Sequence, residues 1–489
     1  MHITMVADHP LEIICDRLVV LTTESRGEAA IPATLSRFIG ARVRPFLKKD
    51  GFTGAPGDLV ISDTLGLLPA ETVALVGVGI AEEASDGVVS DAMSRAVSGS
   101  AASVIGIDFG EVGSTHLAAA VEGAVLGLHR FALAEARARR GAPTLDIEIR
   151  VSAAETGTDW EKEAERGRIL AESVCWARDL VDLPSHYATP ERLADEARHL
   201  AAETSVSVEV LDIEVLEKLG FGGVLGVGGG GEFPPRVVVL RYEPTGAKPL
   251  GLVGKGITFD AGGYHLKSLD EMRLMKSDMS GAAAVMGALR SVALCGARQD
   301  VVAVLPFAEN LLGRNAYRPS DVVVHYGGKT SEVIDPDNEG RMILADALGY
   351  ISEFNPTAVI DIATLTDAGG LGPDLWAVLA SDRSLAAELL AAGHQVGEPG
   401  WELPLWHPYR ERLRSNVADI ANADRRTDNA VLAALFLADF VGDVPWAHID
   451  LGHAAFRGSG VDHHASGVGV RTLARFLADR AAKAILASN

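Results

Sequence analysis

The chain has 489 residues, more than one core of about 250–300 residues absorbs, so two or three domains are expected. Hydrophobic residues make up 48% and charged residues 22%, the balance of a globular protein rather than a disordered or fibrous one. The formal charge of −22 disfavours nucleic acid and anionic membranes as partners, because both select a basic face.

In chain order, the first residues carry His2, Asp8 and Glu12 in place of a basic stretch followed by an apolar leader. The longest apolar runs, such as 430–437, fall well short of the ~20 residues of a membrane helix, and a cytoplasmic chain without membrane contact is expected. Residues 18–22, 72–78 and 145–151 read as strands, and 91–99 and 116–139 as helices, the latter running into the basic cluster 137–140. This is an α/β pattern without a Gly-rich phosphate loop or a catalytic cluster. A polar helix over about 159–183, closed by Pro184, joins it to the rest. The expected division is therefore an N-terminal α/β domain over 1–158, the joining helix 159–183, and a second domain over 184–489. Cys15, Cys175 and Cys295 are far apart in apolar surroundings and read as reduced, buried residues rather than a disulfide or zinc framework.

In the second half, strands are expected at 206–211, 236–241, 249–253, 300–305, 358–362 and 446–450, with helices at 280–293, 342–350 and 430–440 between them. Such an open α/β sheet binds ligands beyond the carboxyl ends of its strands. Five segments place unusual polar residues there or near a helix start. They are 253–263 with Lys255, Asp260 and a Gly-Gly pair; Lys267; Asp278 before a small-residue helix; 335–341 with Asp337, Glu339 and Arg341; and 363–366 with Thr364 and Leu365.

Taken singly, an Asp after a strand caps a helix or turn more often than it binds metal. Taken together, clustered carboxylates raise one another's pKa unless a cation compensates. Four acids with few His or Cys suit Mg²⁺, Mn²⁺ or carboxylate-bound Zn²⁺, and suffice for two ions in the arrangement hydrolases use.

The segments resemble the leucyl aminopeptidase (cytosol aminopeptidase) family of metallopeptidases. The family's diagnostic stretch N-T-D-A-E-G-R stands here as Asp335-Pro336-Asp337-Asn338-Glu339-Gly340-Arg341. The run 253–263 is close to the family consensus, Lys267 and Asp278 keep the family spacing, and the similarity extends from about Arg178 to Gly467.

The resemblance implies a macro-domain-like N-terminal α/β domain and a catalytic α/β/α domain with a mixed open sheet. It also implies a cytoplasmic homohexamer whose active sites face an interior cavity, and peptides as substrates. The tighter metal site would use the neutral amine of Lys255 with Asp260, Asp278 and Glu339. The exchangeable site would use Asp260, Asp337 and Glu339. Mn²⁺ or Zn²⁺ is expected, with Co²⁺ or Mg²⁺ possible in the exchangeable site, and a water activated by both ions would cleave the N-terminal peptide bond. Lys267 would stabilise the developing oxyanion, and Arg341 would hold a bicarbonate that shuttles protons. Met275, Asn310, Thr364, Leu365 and Asp367 would contact the substrate.

The departures cluster around the substrate pocket. The family's Thr-Leu-Thr-Gly-Ala is here Thr364-Leu365-Thr366-Asp367-Ala368, its Asp-Ile-Ala-Gly run is Asp450-Leu451-Gly452-His453, and a Gly-rich loop is replaced by Asp424-Arg425-Arg426-Thr427-Asp428. Asp367 in a desolvated pocket would favour basic or polar N-terminal residues; His453 reads as a packing residue. The competing readings are a narrow dipeptidase, for example for cysteinylglycine, a DNA-binding or regulatory member of the family, and a degenerate scaffold. The acidic balance counts against DNA, and retention of the five ligand positions with Lys267 and Arg341 counts against a scaffold.

Overall fold

The alternating apolar runs and helical stretches build two separate mixed sheets in the computed structural model, which describes residues 2–6, 9–25, 28–30, 51–131, 148–152, 159–458 and 463–488. Two units follow from the contacts: Met1–Glu172 with Gln395–Gly397, and Ser173–His394 with Glu398–Asn489. The fold class is α/β in both. Among the described residues, no helix is long and apolar enough to cross a membrane.

The first unit holds a 7-stranded sheet in the order His2–Val6, Glu148–Ser152, Val104–Asp108, Arg17–Ser25, Thr72–Gly79 and Leu59–Asp63, with Glu28–Ala30 beside Arg17–Ser25. Two helices over it differ from the sequence expectation. The first spans Asp86–Val97 rather than 91–99, because Ser85 caps it by accepting from the Val88 N–H at 3.3 Å. The second ends at Leu128, where His129 turns extended, so it stops short of 139; residues 132–139, the basic cluster 137–140 and the strand start 145–147 lie outside the described residues.

The second unit is built on a 9-stranded sheet. Its centre is four mutually parallel strands, Val301–Asn310, Leu250–Gly254, Val359–Ala363 and Trp446–Asp450. Antiparallel strands Arg236–Tyr242 and Trp376–Ala380 flank it. The central strands are buried throughout, as their continuous apolar runs require. Helices Ser280–Leu294, Glu339–Ile351 and Ala430–Val441 cover the sheet.

Two differences from the sequence reading matter for the site. The strand expected to end at 305 runs through Pro306 to Asn310, because Gly256–Asp260 forms a further strand pairing with its second half. The break between Leu250–Gly254 and Gly256–Asp260 falls on Lys255. The cysteines also differ: Cys15 is buried, but Cys175 is only partly so and Cys295 is exposed.

Candidate metal centre and active site

Each acidic or basic side chain of the site is delivered by the end of a regular element. Lys255 leaves the central sheet with its backbone fixed on both sides, its N–H donating to Ile362 O at 3.0 Å and its carbonyl accepting from Ala282 N at 2.8 Å. Asp260 closes strand Gly256–Asp260, Asp278 lies in the short helix Met275–Met279, and Glu339 opens helix Glu339–Ile351. The Lys255 ammonium is 2.8 Å from both Asp278 Oδ1 and Glu339 Oε1, and donates to Thr364 O at 3.0 Å. Lys267 donates to Asp260 Oδ2 at 2.5 Å and also contacts Asp337 Oδ1. Oxygens of Asp260, Asp337 and Glu339 lie within 4.8 Å of one another. The structure thus brings Lys255, Asp260, Lys267, Asp278, Asp337 and Glu339 into one cluster.

Two glycines make this closeness possible. A Cβ at Gly340 would lie 2.5 Å from Lys255 Cε, so only glycine lets the lysine lie against the helix start. Gly262 has φ of +86°, and a Cβ there would meet His265 O and Asp337 Oδ1.

Four carboxylates share the cluster with two ammonium groups, and negative charge is in excess. Burial pushes Asp260 up, helped by the Glu339 charge, and pushes Asp278 well above the carboxylate range against the pull of Lys255. Burial, with Asp260 and Glu339 beside it, raises Asp337 to about 7. Glu339 goes the other way: burial works to raise it, but Lys255 and Lys267 together hold it below its ordinary value. Lys255 is also held above the lysine range, because Asp278, Glu339 and Asp260 together outweigh the opposing effect of burial. Lys267 behaves likewise. With protein charges alone, both lysines are therefore cations; the neutral Lys255 amine of the sequence reading requires positive charge in the carboxylate cluster. Asp278 Oδ2 and Glu339 Oε2 are buried without a hydrogen-bond partner, a costly state that an added cation relieves. The donor set and its orphaned oxygens fit divalent metal ions.

The diagnostic loop is held from below by a residue the sequence reading did not single out. Asn422 is fully buried; its Oδ1 accepts from Ile334 N at 2.7 Å and Asp335 N at 3.1 Å, and its Nδ2 donates to Asp335 O at 2.8 Å. Tyr317 donates to Pro336 O at 2.8 Å. Asp450 does similar work under the neighbouring loop, accepting from Leu365 N at 3.1 Å and Thr366 Oγ1 at 2.5 Å. Its position after strand Trp446–Asp450 was the available signal. Asn422 follows a two-residue strand too short to register as one.

Arg341 lies in the first turn of its helix as expected, but its surroundings do not suit the bicarbonate expected there. The guanidinium is fully buried, Nη1 donates to Asn422 O at 2.5 Å, and Nη2 is 2.7 Å from Asp428 Oδ2. That ion pair lacks good hydrogen-bond angles, since neither Nη2 nor Nε counts a partner. A carboxylate of the chain already occupies the approach to the guanidinium, and a second anion there would face its charge.

A cavity of about 1050 Å³ opens over the cluster, lined by all six of its charged side chains and by Met275, Thr364, Leu365 and Asp367. Thr364 donates to Asp278 Oδ1 at 2.8 Å, tying the pocket to the carboxylates. Asn310 is different: it is buried behind Asp260, donating to Asp260 Oδ1 at 2.8 Å and Pro336 O at 3.1 Å, and does not line the cavity. It orients a carboxylate rather than facing the substrate side. Asp367 lines the cavity but is exposed, not desolvated, and accepts from Gly369 N at 3.0 Å. His453, expected to pack in the interior, is exposed on the cavity wall.

Comparison with known proteins agrees with this geometry. The sequence profile of the cytosol aminopeptidase family, catalytic domain, matches residues 175–474, and that of the family's N-terminal domain matches residues 19–133. A "Probable cytosol aminopeptidase" of Roseiflexus castenholzii is 38% identical over 499 aligned residues, covering 98% of this chain and 99% of its own. Among solved structures, the bottromycin maturation enzyme BotP in complex with Mn superposes with a TM-score of 0.81 at 35% identity, over 95% of this chain and 99% of its own. A tomato leucine aminopeptidase mutant superposes with a TM-score of 0.85 at 29% identity, over 98% of this chain and 96% of its own.

Proposed function

The chain belongs to the cytosol aminopeptidase family and is a metal-dependent aminopeptidase acting on peptides, and from that premise we propose how its residues divide the work. Asp260, Asp278, Asp337 and Glu339, with the amine of Lys255, would hold two divalent ions, Mn²⁺ or Zn²⁺, with Co²⁺ or Mg²⁺ admissible in the more exchangeable place. When bound, the ions supply the Lewis acidity that activates water and polarises the scissile carbonyl. The observation that carries this reading is a lysine buried between Asp278 and Glu339, each of which keeps an orphaned oxygen. A Mn-bound neighbour of the same fold supports it.

Lys267 remains an ammonium group at the cavity wall and is placed to stabilise negative charge developing on the carbonyl oxygen. Met275, Thr364 and Leu365 line the space for the substrate's N-terminal residue, with the Leu365 N–H committed to Asp450 and so holding the loop still. Asp367 at the rim would favour a basic or polar first residue. The bicarbonate expected at Arg341 is assigned no step. Residues 1–158 would form the N-terminal domain, 159–183 the joining helix and 184–489 the catalytic domain, assembled as a cytoplasmic homohexamer.

The test removes metal by dialysis against a chelator, restores Mn²⁺, Zn²⁺, Co²⁺ or Mg²⁺ separately, and counts bound ions per chain by elemental analysis. Activity is read on a dipeptide panel and on the same peptides N-acetylated. Two ions per chain and cleavage of unblocked peptides only are expected. A metal-saturated sample that leaves every unblocked peptide intact would sink the reading.

A further inference from the structure

The loop 424–429 gives this chain its own anion at Arg341. Arg341 is fully buried and does not reach the cavity wall; Asp428, 2.7 Å from its Nη2, does. The site therefore presents a carboxylate where the guanidinium would otherwise be met. Asp428 is fixed from both sides. Arg412 Nη2 donates to Thr427 Oγ1 at 2.7 Å and to Thr427 O at 3.1 Å, and Asn429 caps helix Ala430–Val441 by accepting from Leu432 N at 3.0 Å. The guanidinium edge formed by Nε and Nη2 is a fork with two parallel donors, both without hydrogen-bond partners. A small rotation of the Asp428 carboxylate completes that fork, whereas carbonate could reach it only by displacing Asp428.

We propose that Asp428 is the resident anion of Arg341 and carries the reaction's proton, so that catalysis here needs no external carbonate. The proposal rests on the aminopeptidase reading above. As the water oxygen bonds to the scissile carbonyl carbon, a water proton passes to a carboxylate oxygen of Asp428. When the C–N bond breaks, the same proton goes to the departing nitrogen, and Asp428 is again ionised. Arg341 is the positioning residue that orients the carboxylate.

The experiment uses manganese-loaded full-length protein in carbonate-free buffer, with an unblocked leucyl peptide, before and after adding sodium bicarbonate. Wild type should change by less than about twofold. Asp428→Gly should fall by about 100-fold, the low end of an acid–base contribution, and regain at least about tenfold with bicarbonate. Asp428→Asn, which keeps the space filled, should fall equally and not be restored. Bicarbonate should raise the Tm of Asp428→Gly and leave that of wild type unchanged, a readout independent of turnover. A wild-type rate or Tm that rises with bicarbonate overturns the proposal. So does an Asp428→Gly protein that keeps its rate in carbonate-free buffer, or one that melts like wild type yet is not restored. Should Asp428→Gly fail to fold, an unchanged rate for Asp428→Asn overturns it instead. If wild type cleaves no unblocked peptide, the aminopeptidase reading itself has failed.

Discussion

The Lys255 ammonium lies 2.8 Å from the Glu339 carboxylate, and only the missing side chain of Gly340 lets it pass there. The central sheet and the helix Glu339–Ile351 are thereby joined through one buried ion pair at the point where the carboxylates converge. Adding a methyl at Gly340 tests this packing directly. Gly340→Ala should destabilise the fold by about 1–3 kcal/mol, the range for overpacking a filled core. Metal content should fall with it, read by calorimetry and elemental analysis on the same sample. A variant with wild-type Tm and metal content would show that the contact is slack.

The two lysines should separate by what they lose. Lys255→Met should reduce the number of bound metal ions, because its amine would be a ligand. Lys267→Met should keep the ions and lower kcat by roughly 100- to 1000-fold, the size of a lost oxyanion donor. Metal stoichiometry and kcat measured on both variants decide the assignment; equal metal loss in both would reverse it.

The metal-free protein should show the strain among its carboxylates as a pH dependence. Asp337 is raised from 3.8 to about 7 by burial and by Asp260 and Glu339. The folded chain then binds this proton more tightly than the unfolded chain, so the contribution to stability declines as pH rises through that interval. Glu339, held low by its lysines despite burial, contributes in the opposite sense and loses its share only in more acidic solution. Tm of chelator-treated protein should therefore carry a declining component between the two Asp337 values, flattened in Asp337→Asn. Added metal should stabilise wild type most at the alkaline end. A slope unchanged by Asp337→Asn rules out this residue as its source.

Asn422 makes three hydrogen bonds to the diagnostic loop from a fully buried position. Asn422→Ala should cost about 1–3 kcal/mol by leaving backbone groups unpaired. Because that loop carries Asp337, metal affinity should weaken as well, measurable by isothermal titration. Stability lost with affinity intact would confine Asn422 to the scaffold.

Asp367 is exposed on the cavity wall, where ion pairs contribute about 0–1 kcal/mol. Asp367→Gly should therefore lower the preference for Lys- and Arg-starting over Leu-starting peptides by no more than about fivefold in kcat/KM. An unchanged ratio would show that Asp367 only caps the turn at Gly369.

Much of the site was legible because its chemistry is concentrated at strand ends. Lys255, Asp260, Asp278, Asp337 and Glu339 each stand next to an apolar run whose length marks an element, and regular elements fix the direction in which a terminal side chain leaves. Asn310 and His453 were misplaced for the converse reason. A polar residue at a strand end, or in a loop, points inward or outward according to its neighbours, and periodicity does not register those neighbours. Asn310 has Asp260 and Pro336 O to satisfy and turns inward; His453 has the cavity before it and stays exposed.

Residue order by itself determined the α/β class, the succession of central strands, and the set of carboxylates and lysines that carry charge in the second half of the chain. Those follow from local properties: side-chain polarity, spacing and the turn residues between elements. The tertiary structure decided which charges meet. It set Lys255 between Asp278 and Glu339, gave Lys267 to Asp260 and Asp337, and placed Asp428 against Arg341. Electrostatic energy depends on distance and burial, and both arise only when residues remote in sequence are packed into one water-poor cluster.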